Sequence, residues 1–479
     1  MIKTQFLVIL LIAFIGFSCQ SDQNIVSIRN IDYDVVIVGG GFSGLTAAYQ
    51  LRGKNILVLE KEKAIGGRCM SGNWNGFHYP KGTEYIGKPE SLMKKIFKRL
   101  AVKAEQIPAP TDGVAYNGNF YFSEELLDYL NAEEQKQYNE LKQKLELLAN
   151  NDIEDVIFEE QEYLKEYKKL DQQSVRKWLD KEGYASLIQK FIDIENRGLF
   201  GTDNANYSML FNIPEMAFNL PLVDSIDESD VYSFNQGMFS VVEAFAQQIG
   251  NNIITSASVN GVKVNRDKSV DITYLKDGNS HTVTAKTVVM ATPAPVTEYI
   301  VKNHLSSEVK NTLKNLQYSK YVTINFFTKK RLLHETWSVS CIDEGQVVTL
   351  YDVIRPQVSD DYRGKSILSV YMAPENTYDK NFAKQSDQKL LTNAYQTLNK
   401  YYPGFENEVV DYDITRFEYA FPVFAPNYSS NVEILTSDKS LRGPIFLAGD
   451  YMVYATVDGA FISGDNAAKL VLGYLKQQQ

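Results

Sequence analysis

Two unbroken apolar runs, early in the chain, predict its first strands: "YDVVIV" (Tyr33–Val38) and "NILVLEKE" (Asn55–Glu62). Between them lies a glycine turn followed by a helical pattern in which Leu45, Ala48 and Leu51 share one face. Strand, turn, helix and strand predict a βαβ unit with parallel strands. Later, "SVNGVKVNRDKSVDITYLKDG" and "YVTINFF" alternate with period two, and "GKSILSVYMA" and "VVDYDITRFEYAFPVF" carry β patterns within a mixed region; all predict further strands. Long charged stretches such as "SEELLDYLNAEEQKQYNELKQKLELLANN" predict solvated helices covering a pocket.

The first nineteen residues follow another rule. Lys3 precedes an apolar run, Phe6 to Phe17, followed by Ser18-Cys19-Gln20. That run is shorter than the roughly 20 residues that span a bilayer, and it matches the core of a secretory signal. A cysteine directly after it resembles a bacterial lipoprotein signal, with Cys19 as the lipidated residue. Gly16 departs from the branched aliphatic residue usual there, so a plain signal peptide or an uncleaved anchor stays open. The expectation is a signal over 1–19, a tether over 20–30, and an exported protein held at the membrane by lipid.

Composition removes several functions. A formal charge of −10 without a basic aromatic stripe argues against a nucleic-acid partner. His78, His281, His304 and His334 are scattered without ligand spacing, so neither a metal site nor a Ser-His-Asp machine is expected. Plentiful Tyr and Phe suit an aromatic-lined pocket for a small molecule.

Gly39, Gly41 and Gly44 form G-x-G-x-x-G between the first strand and its helix. The first glycine permits the tight turn, the second lets a pyrophosphate approach the backbone, and the third permits close helix–strand packing. The helix N-terminus offers free N–H groups to phosphate. Glu60 closes the second strand, where a carboxylate accepts hydrogen bonds from ribose hydroxyls; an acid there disfavours NADP. Gly66, Gly67 and Arg68 follow in the next loop, two glycines for close backbone approach and a guanidinium for a phosphate or a flavin edge.

G-x-G-x-x-G, Glu60 and Gly-Gly-Arg in this order resemble the flavin-dependent amine oxidase superfamily, which includes monoamine and polyamine oxidases, protoporphyrinogen oxidase and phytoene desaturase-type enzymes. "SFNQGMFSVVEAFAQQI", "KTVVMATPAP" and the C-terminal "PIFLAGDYMVYATVDGAFISGDNAAKLV" extend the resemblance over nearly the whole mature chain. It implies an α/β fold, a Rossmann-like FAD-binding domain with an interleaved α+β substrate domain. The expected cofactor segments are 31–87, 233–295 and 437–475; the substrate domain takes 88–232 as its helical part and 296–436 as its mixed β/α part.

The resemblance also implies site roles. Gly66, Gly67 and Arg68 line the FAD pyrophosphate, and Val262 contacts adenine through its backbone. Gly449-Asp450 binds the ribityl chain. Val457, Asp458, Gly459 and Ala460 open a helix towards the isoalloxazine, although Asp458 reads equally as an N-cap. Phe421, Pro422, Phe424 and, less directly, Tyr454 are candidate pocket residues, with ordinary core as the alternative. In "YSKYVTINFF", Lys320 shares the Val322, Ile324 and Phe326 face, opposite Ser319, Thr323 and Asn325. It reads as a lysine bonded through water to flavin N5, or as a strand-end residue snorkelling outwards.

Several positions depart from the family pattern. Thr456 stands where monoamine oxidases place an aromatic residue, and Pro80, before the retained Gly82, stands where an acid is usual. No cysteine lies in 410–430, so non-covalent FAD is expected; whether Cys69 and Cys341 pair stays open. The leading expectation is an FAD-dependent oxidoreductase that takes a hydride from a small amine-bearing or apolar substrate. A desaturase or isomerase of a lipid-like or polyene substrate, and a flavin-carrying binding protein without turnover, are the alternatives.

Overall fold

A computed structural model describes residues 30–148, 167–219, 230–333, 335–357 and 364–478. The predicted signal, Cys19, most of the tether and His334 lie outside the described residues.

The first sheet is the cofactor scaffold. β1 (Tyr33–Val38) leads through a glycine turn into α1 (Phe42–Gln50) and then β2 (Ile56–Leu59). β1 and β2 pair in parallel, Val36 opposite Leu57 and Val38 opposite Leu59. Both faces of β1 are covered: Val35 and Ile37 belong to one core, Val36 and Val38 to another. That double burial explains the unbroken apolar run, since alternation appears only where one face meets water.

A distant segment completes the sheet. The hairpin-forming strands at Asp112–Tyr116 (β3) and Asn119–Phe122 (β4) belong elsewhere, and the next helices of note are α2 (Ser186–Phe200) and α3 (Phe239–Ile249). Then come β5 (Ile253–Ile254), β6 (Ser258–Val264), β7 (Val270–Lys276) and β8 (Asn279–Met290). The order is β5-β2-β1-β8-β7-β6. Val35 to Val38 of β1 lie parallel to Thr287 to Met290 of β8, which also pairs in parallel with β14 (Ile445–Leu447). The chain ends in α5 (Val457–Gln477), which packs on α1 so closely that a Cβ on Gly464 would lie 2.3 Å from the Ser43 carbonyl.

The second sheet uses β9 (Tyr321–Thr328), β10 (Ser338–Cys341), β11 (Val347–Asp352), β12 (Ser366–Met372) and β13 (Val409–Phe417), in the order β13-β9-β12-β11-β10-β3-β4. Val322, Ile324 and Phe326 are fully buried on one face, in a core that includes Leu390, Ala394 and Leu398 of α4 (Asp387–Tyr401). The opposite face of β9 meets the cofactor domain: Thr323 Oγ1 donates to the Lys81 carbonyl and Asn325 Nδ2 to the Pro80 carbonyl, each at 2.8 Å.

The segment 88–232 is therefore more than helical, because it supplies β3 and β4 to the substrate sheet. Asn117 and Gly118 turn that hairpin with φ of 51° and 80°. Asn-Gly is the residue pair that such a turn favours.

Candidate functional site

The three glycines of the first turn do different physical work. Gly39 has φ of 112°, and a Cβ there would lie 2.4 Å from the Ala291 carbonyl oxygen. A Cβ on Gly44 would lie 2.0 Å from the Gly39 oxygen. Both positions are consumed by the chain packing on itself. A Cβ on Gly41 would meet nothing within 4 Å, and Gly41 is the N-cap of α1. Open space thus lies beside a helix N-terminus whose first N–H groups lack intrahelical partners, a site for an anion.

Glu60 is buried at the end of β2. Its Oε2 accepts the Gly40 N–H at 2.7 Å and its Oε1 the Glu62 N–H at 2.8 Å. The carboxylate is held in place with lone pairs left over. Gly66 N–H donates to the Gly40 carbonyl at 2.8 Å, so the Gly-Gly-Arg loop rests on the glycine turn.

Arg68 ties this loop to both domains. One guanidinium nitrogen, Nη1, donates to Asp450 Oδ2 at 2.7 Å and to the Ala420 carbonyl at 2.5 Å. Burial alone would lower the Arg68 pKa, but the adjacent Asp450 carboxylate outweighs it and holds the pKa above the ordinary value. Asp450 is 4% exposed, and Gly449 N–H beside it donates to Ser463 Oγ of α5. Thr456 caps α5, its hydroxyl accepting the Gly459 N–H at 3.1 Å. Asp458 is therefore not the cap. It sits in the first turn, where burial pushes its carboxyl up to about 6, with the Glu90 charge adding to the effect.

An aromatic wall, built on Tyr321, Tyr351 and Tyr371 of the second sheet and on rings from neighbouring segments, adjoins this assembly. Tyr321 packs edge-on against Tyr371 and Phe421, both with centroids at 5.8 Å. Tyr351 lies 4.9 Å from both Tyr371 and Trp337, and Tyr85 lies 5.2 Å from Trp337. The Tyr371 hydroxyl donates to the Gly82 carbonyl, and a Cβ on Gly82 would lie 2.3 Å from the Arg68 carbonyl oxygen. Cofactor loop and wall therefore meet through Gly82. Carboxylates lie near Tyr85. Burial raises the Tyr85 pKa most, and the negative charges of Glu215, Glu195 and Asp112 raise it further. Burial also lifts the Glu195 carboxyl to about 7, against the hydrogen bond from Ser340 Oγ.

The family described as flavin containing amine oxidoreductase matches residues 42–472, nearly the whole described chain. The chain belongs to this family. The protein named "Probable flavin-containing monoamine oxidase A" from Dictyostelium discoideum is 26% identical over 342 residues, covering 67% of this chain and 71% of that protein. Pseudooxynicotine dehydrogenase from a Pseudomonas species is 24% identical over 478 residues, covering 93% and 88%. Among solved structures, wild-type putrescine oxidase with putrescine bound superposes with a TM-score of 0.72 at 19% identity, covering 92% of this chain and 99% of that one. At that identity the likeness shows the fold, a Rossmann-like domain with an interleaved substrate domain.

As a flavin-containing amine oxidoreductase the protein uses FAD. The open space at Gly41, the fixed Glu60 carboxylate and the α5 N-terminus fit the pyrophosphate, ribose and flavin ends of such a molecule. Gly39, Gly44, Gly66, Gly67, Gly449, Val457, Gly459 and Ala460 all lie in the three segments that converge there.

Other expected residues lie elsewhere. Val262 is buried in β6 and paired with Ile272, beyond a register shift between Val259 and Gly261. The start of β6 is the part beside Glu60, where Ala257 N–H donates to the Glu60 carbonyl at 2.8 Å. Lys320 precedes β9, and its Nζ donates to the Tyr318 and Glu418 carbonyls at 3.2 and 2.6 Å. Val322, Ile324 and Phe326 do share one face, but that face packs under α4, while the opposite face meets the cofactor loop. Lys320 is a strand-end residue. Phe424 and Tyr454 are fully buried core, each packed on Phe211, and Pro422 is buried beside Tyr318. Phe421 is half-buried and belongs to the wall. Cys69 and Cys341 are free thiols in separate cores.

Tyr85, Tyr321, Tyr351, Tyr371, Trp337 and Glu195 were not singled out from sequence. The one available signal was Tyr321, which alternation places with Thr323 and Asn325, on the face that meets the cofactor loop.

Proposed function

We propose that this flavoenzyme oxidises a small primary or secondary amine. The observation that carries the reading is the wall itself: half-buried Tyr85 and Phe421 present ring surface, with Glu195 and Glu215 within electrostatic reach of Tyr85. Aromatic faces and carboxylates both favour a cationic ligand. A polyene or lipid substrate gains nothing from those acids. Bound FAD supplies the acceptor for a hydride equivalent at N5. The protein's own residues orient the amine against Phe421 and Tyr85, hold its charge through Glu195, and keep water away with the Tyr321–Tyr371–Tyr351 cluster. The bound flavin would pass its electrons on to oxygen or another acceptor. FAD is held without a covalent bond, through Glu60, the glycine turn and the Arg68–Asp450 pair.

The test is anaerobic bleaching of the FAD-loaded protein. A panel of small amines should bleach the flavin, whereas polyenes and fatty acyl compounds should not. Bleaching by a polyene alone would overturn the reading.

Export and membrane attachment through Cys19 are part of the same proposal and rest on the apolar run before that cysteine. Cys19→Ser should move the protein out of the membrane fraction and abolish palmitate labelling; labelling that persists would refute it.

A further inference from the structure

A second cavity lies between the domains, away from the glycine turn. It is bounded by the strand pair Ser71–Trp74 and Phe77–Pro80 with its extension to Glu84, by the turn at Ser233–Met238, and by Val353–Gln357. Its volume is about 20 Å³, room for one water-sized group.

Most polar side chains around it are already paired. Gln357 is clamped to the hairpin, accepting the His78 N–H at 2.9 Å and donating to the His78 carbonyl at 2.6 Å. Ser71 Oγ accepts the Phe239 N–H, and Thr83 Oγ1 donates to the Arg68 carbonyl. Glu84 differs. It is 6% exposed, it lines the cavity, and its buried Oε2 has no hydrogen-bond partner. The neighbouring carboxylate, Asp352, is paired with Arg331 through Oδ2 alone, and its own buried Oδ1 also has no hydrogen-bond partner, so it brings Glu84 negative charge and no donor. A buried carboxylate oxygen without a donor is costly, and a donor entering the cavity would offset that cost.

We propose that this interface cavity binds a primary ammonium group, with the Glu84 carboxylate as its counter-ion. The chemistry narrows to that group in three steps. The unpaired atom is an acceptor, so the ligand donates. The acid is isolated from cationic side chains, so a positive ligand gains most. Among the described residues no group of three or more His, Cys, Asp or Glu could hold a metal ion, and room for one water-sized group takes an ammonium head, its carbon towards the mouth of the cavity, but not the larger head of a guanidinium or a quaternary amine. Because the lining comes from both domains, an occupied site braces the substrate domain against the cofactor domain. This goes beyond amine oxidation and does not depend on it.

The experiment is thermal unfolding of the FAD-loaded protein at pH 9, anaerobically, in methylammonium chloride, tetramethylammonium chloride or sodium chloride at equal ionic strength. Methylammonium should raise Tm saturably, by about 1–2 °C at ten times its half-saturating concentration, and the other two salts should not. Glu84→Gln should abolish the rise while keeping the shape of the side chain. Equal shifts in all three salts, no shift with methylammonium, or the same shift in Glu84→Gln would each overturn the proposal. The salt comparison in the wild-type protein stands even if the variant folds poorly. Flavin absorbance in the same samples reports separately whether methylammonium is oxidised, so failure of the cavity and failure of the oxidation chamber are told apart.

Discussion

The Arg68 guanidinium donates to the Asp450 carboxylate at 2.7 Å, across 382 residues of sequence, and the same nitrogen donates to the Ala420 carbonyl of the substrate domain. Two segments of the cofactor domain and one of the substrate domain are thus held by one side chain. The Arg68 side chain is 35% exposed, so solvent screens part of the attraction, whereas Asp450 is nearly enclosed.

Asp450→Asn removes that charge and leaves a cation facing a neutral amide. FAD affinity should fall by about tenfold or more, the effect of losing about 1.4 kcal/mol, and the apoprotein should unfold at a lower temperature. Flavin fluorescence titration measures the first and calorimetry the second. Arg68→Met combined with Asp450→Asn should cost less than the sum of the two single changes, because the pair acts as a unit.

Gly41 and Gly44 separate cofactor binding from folding. Gly41→Ala adds a methyl group where nothing lies within 4 Å, so apoprotein stability should change by less than about 0.5 kcal/mol while FAD binding weakens markedly. Gly44→Ala drives a methyl group to 2.0 Å from a backbone oxygen, so the apoprotein itself should lose about 1–3 kcal/mol. Urea unfolding of both apoproteins checks the contrast, and equal losses would refute it.

Lys320→Met tests the strand face. With Nζ on the Tyr318 and Glu418 carbonyls, the change should leave both flavin half-reactions within twofold in rapid-mixing experiments, with a stability loss of about 1 kcal/mol. Phe421→Ala should instead raise KM for the amine at least severalfold, because it removes ring surface from the wall. A slowed reoxidation in Lys320→Met would return the lysine to the flavin.

Glu195 gives a pH signature. Burial raises its carboxyl from 4.5 to about 7, so the folded state holds the proton more tightly than the unfolded chain. Its contribution to stability is complete below about 4.5 and is lost as pH rises through about 7. Relative to Glu195→Gln, the wild-type protein should therefore lose stability across that window. The anion formed above it attracts an ammonium, so kcat/KM should rise through pH 7 in wild type and lack that inflection in Glu195→Gln. Matching pH profiles would remove Glu195 from substrate binding.

Local chemistry made the cofactor end legible in the chain. G-x-G-x-x-G, Glu60 and Gly-Gly-Arg are close in sequence because a βαβ unit brings a strand end, a helix start and the next strand end together with few residues between. Each glycine has a backbone reason that the residue type alone announces. The Asn117-Gly118 turn is a local signal of the same kind, yet the charged helical pattern around it led the whole 88–232 segment to be expected as helical. Alternation in "YVTINFF" likewise established which residues share a face.

Tertiary packing decided the rest. Alternation does not say which face of β9 meets the cofactor and which meets α4, and that choice moved Lys320 out of the site and Tyr321 into the wall. The wall itself draws Tyr85, Trp337, Tyr351, Tyr371 and Phe421 from separate segments, and no local pattern distinguishes such rings from core. Arg68 finds Asp450, and Glu84 Oε2 goes without a donor, for the same physical reason. Pairing and desolvation depend on what the whole fold places within a few ångströms, and contacts between residues hundreds of positions apart leave no periodic mark on the sequence.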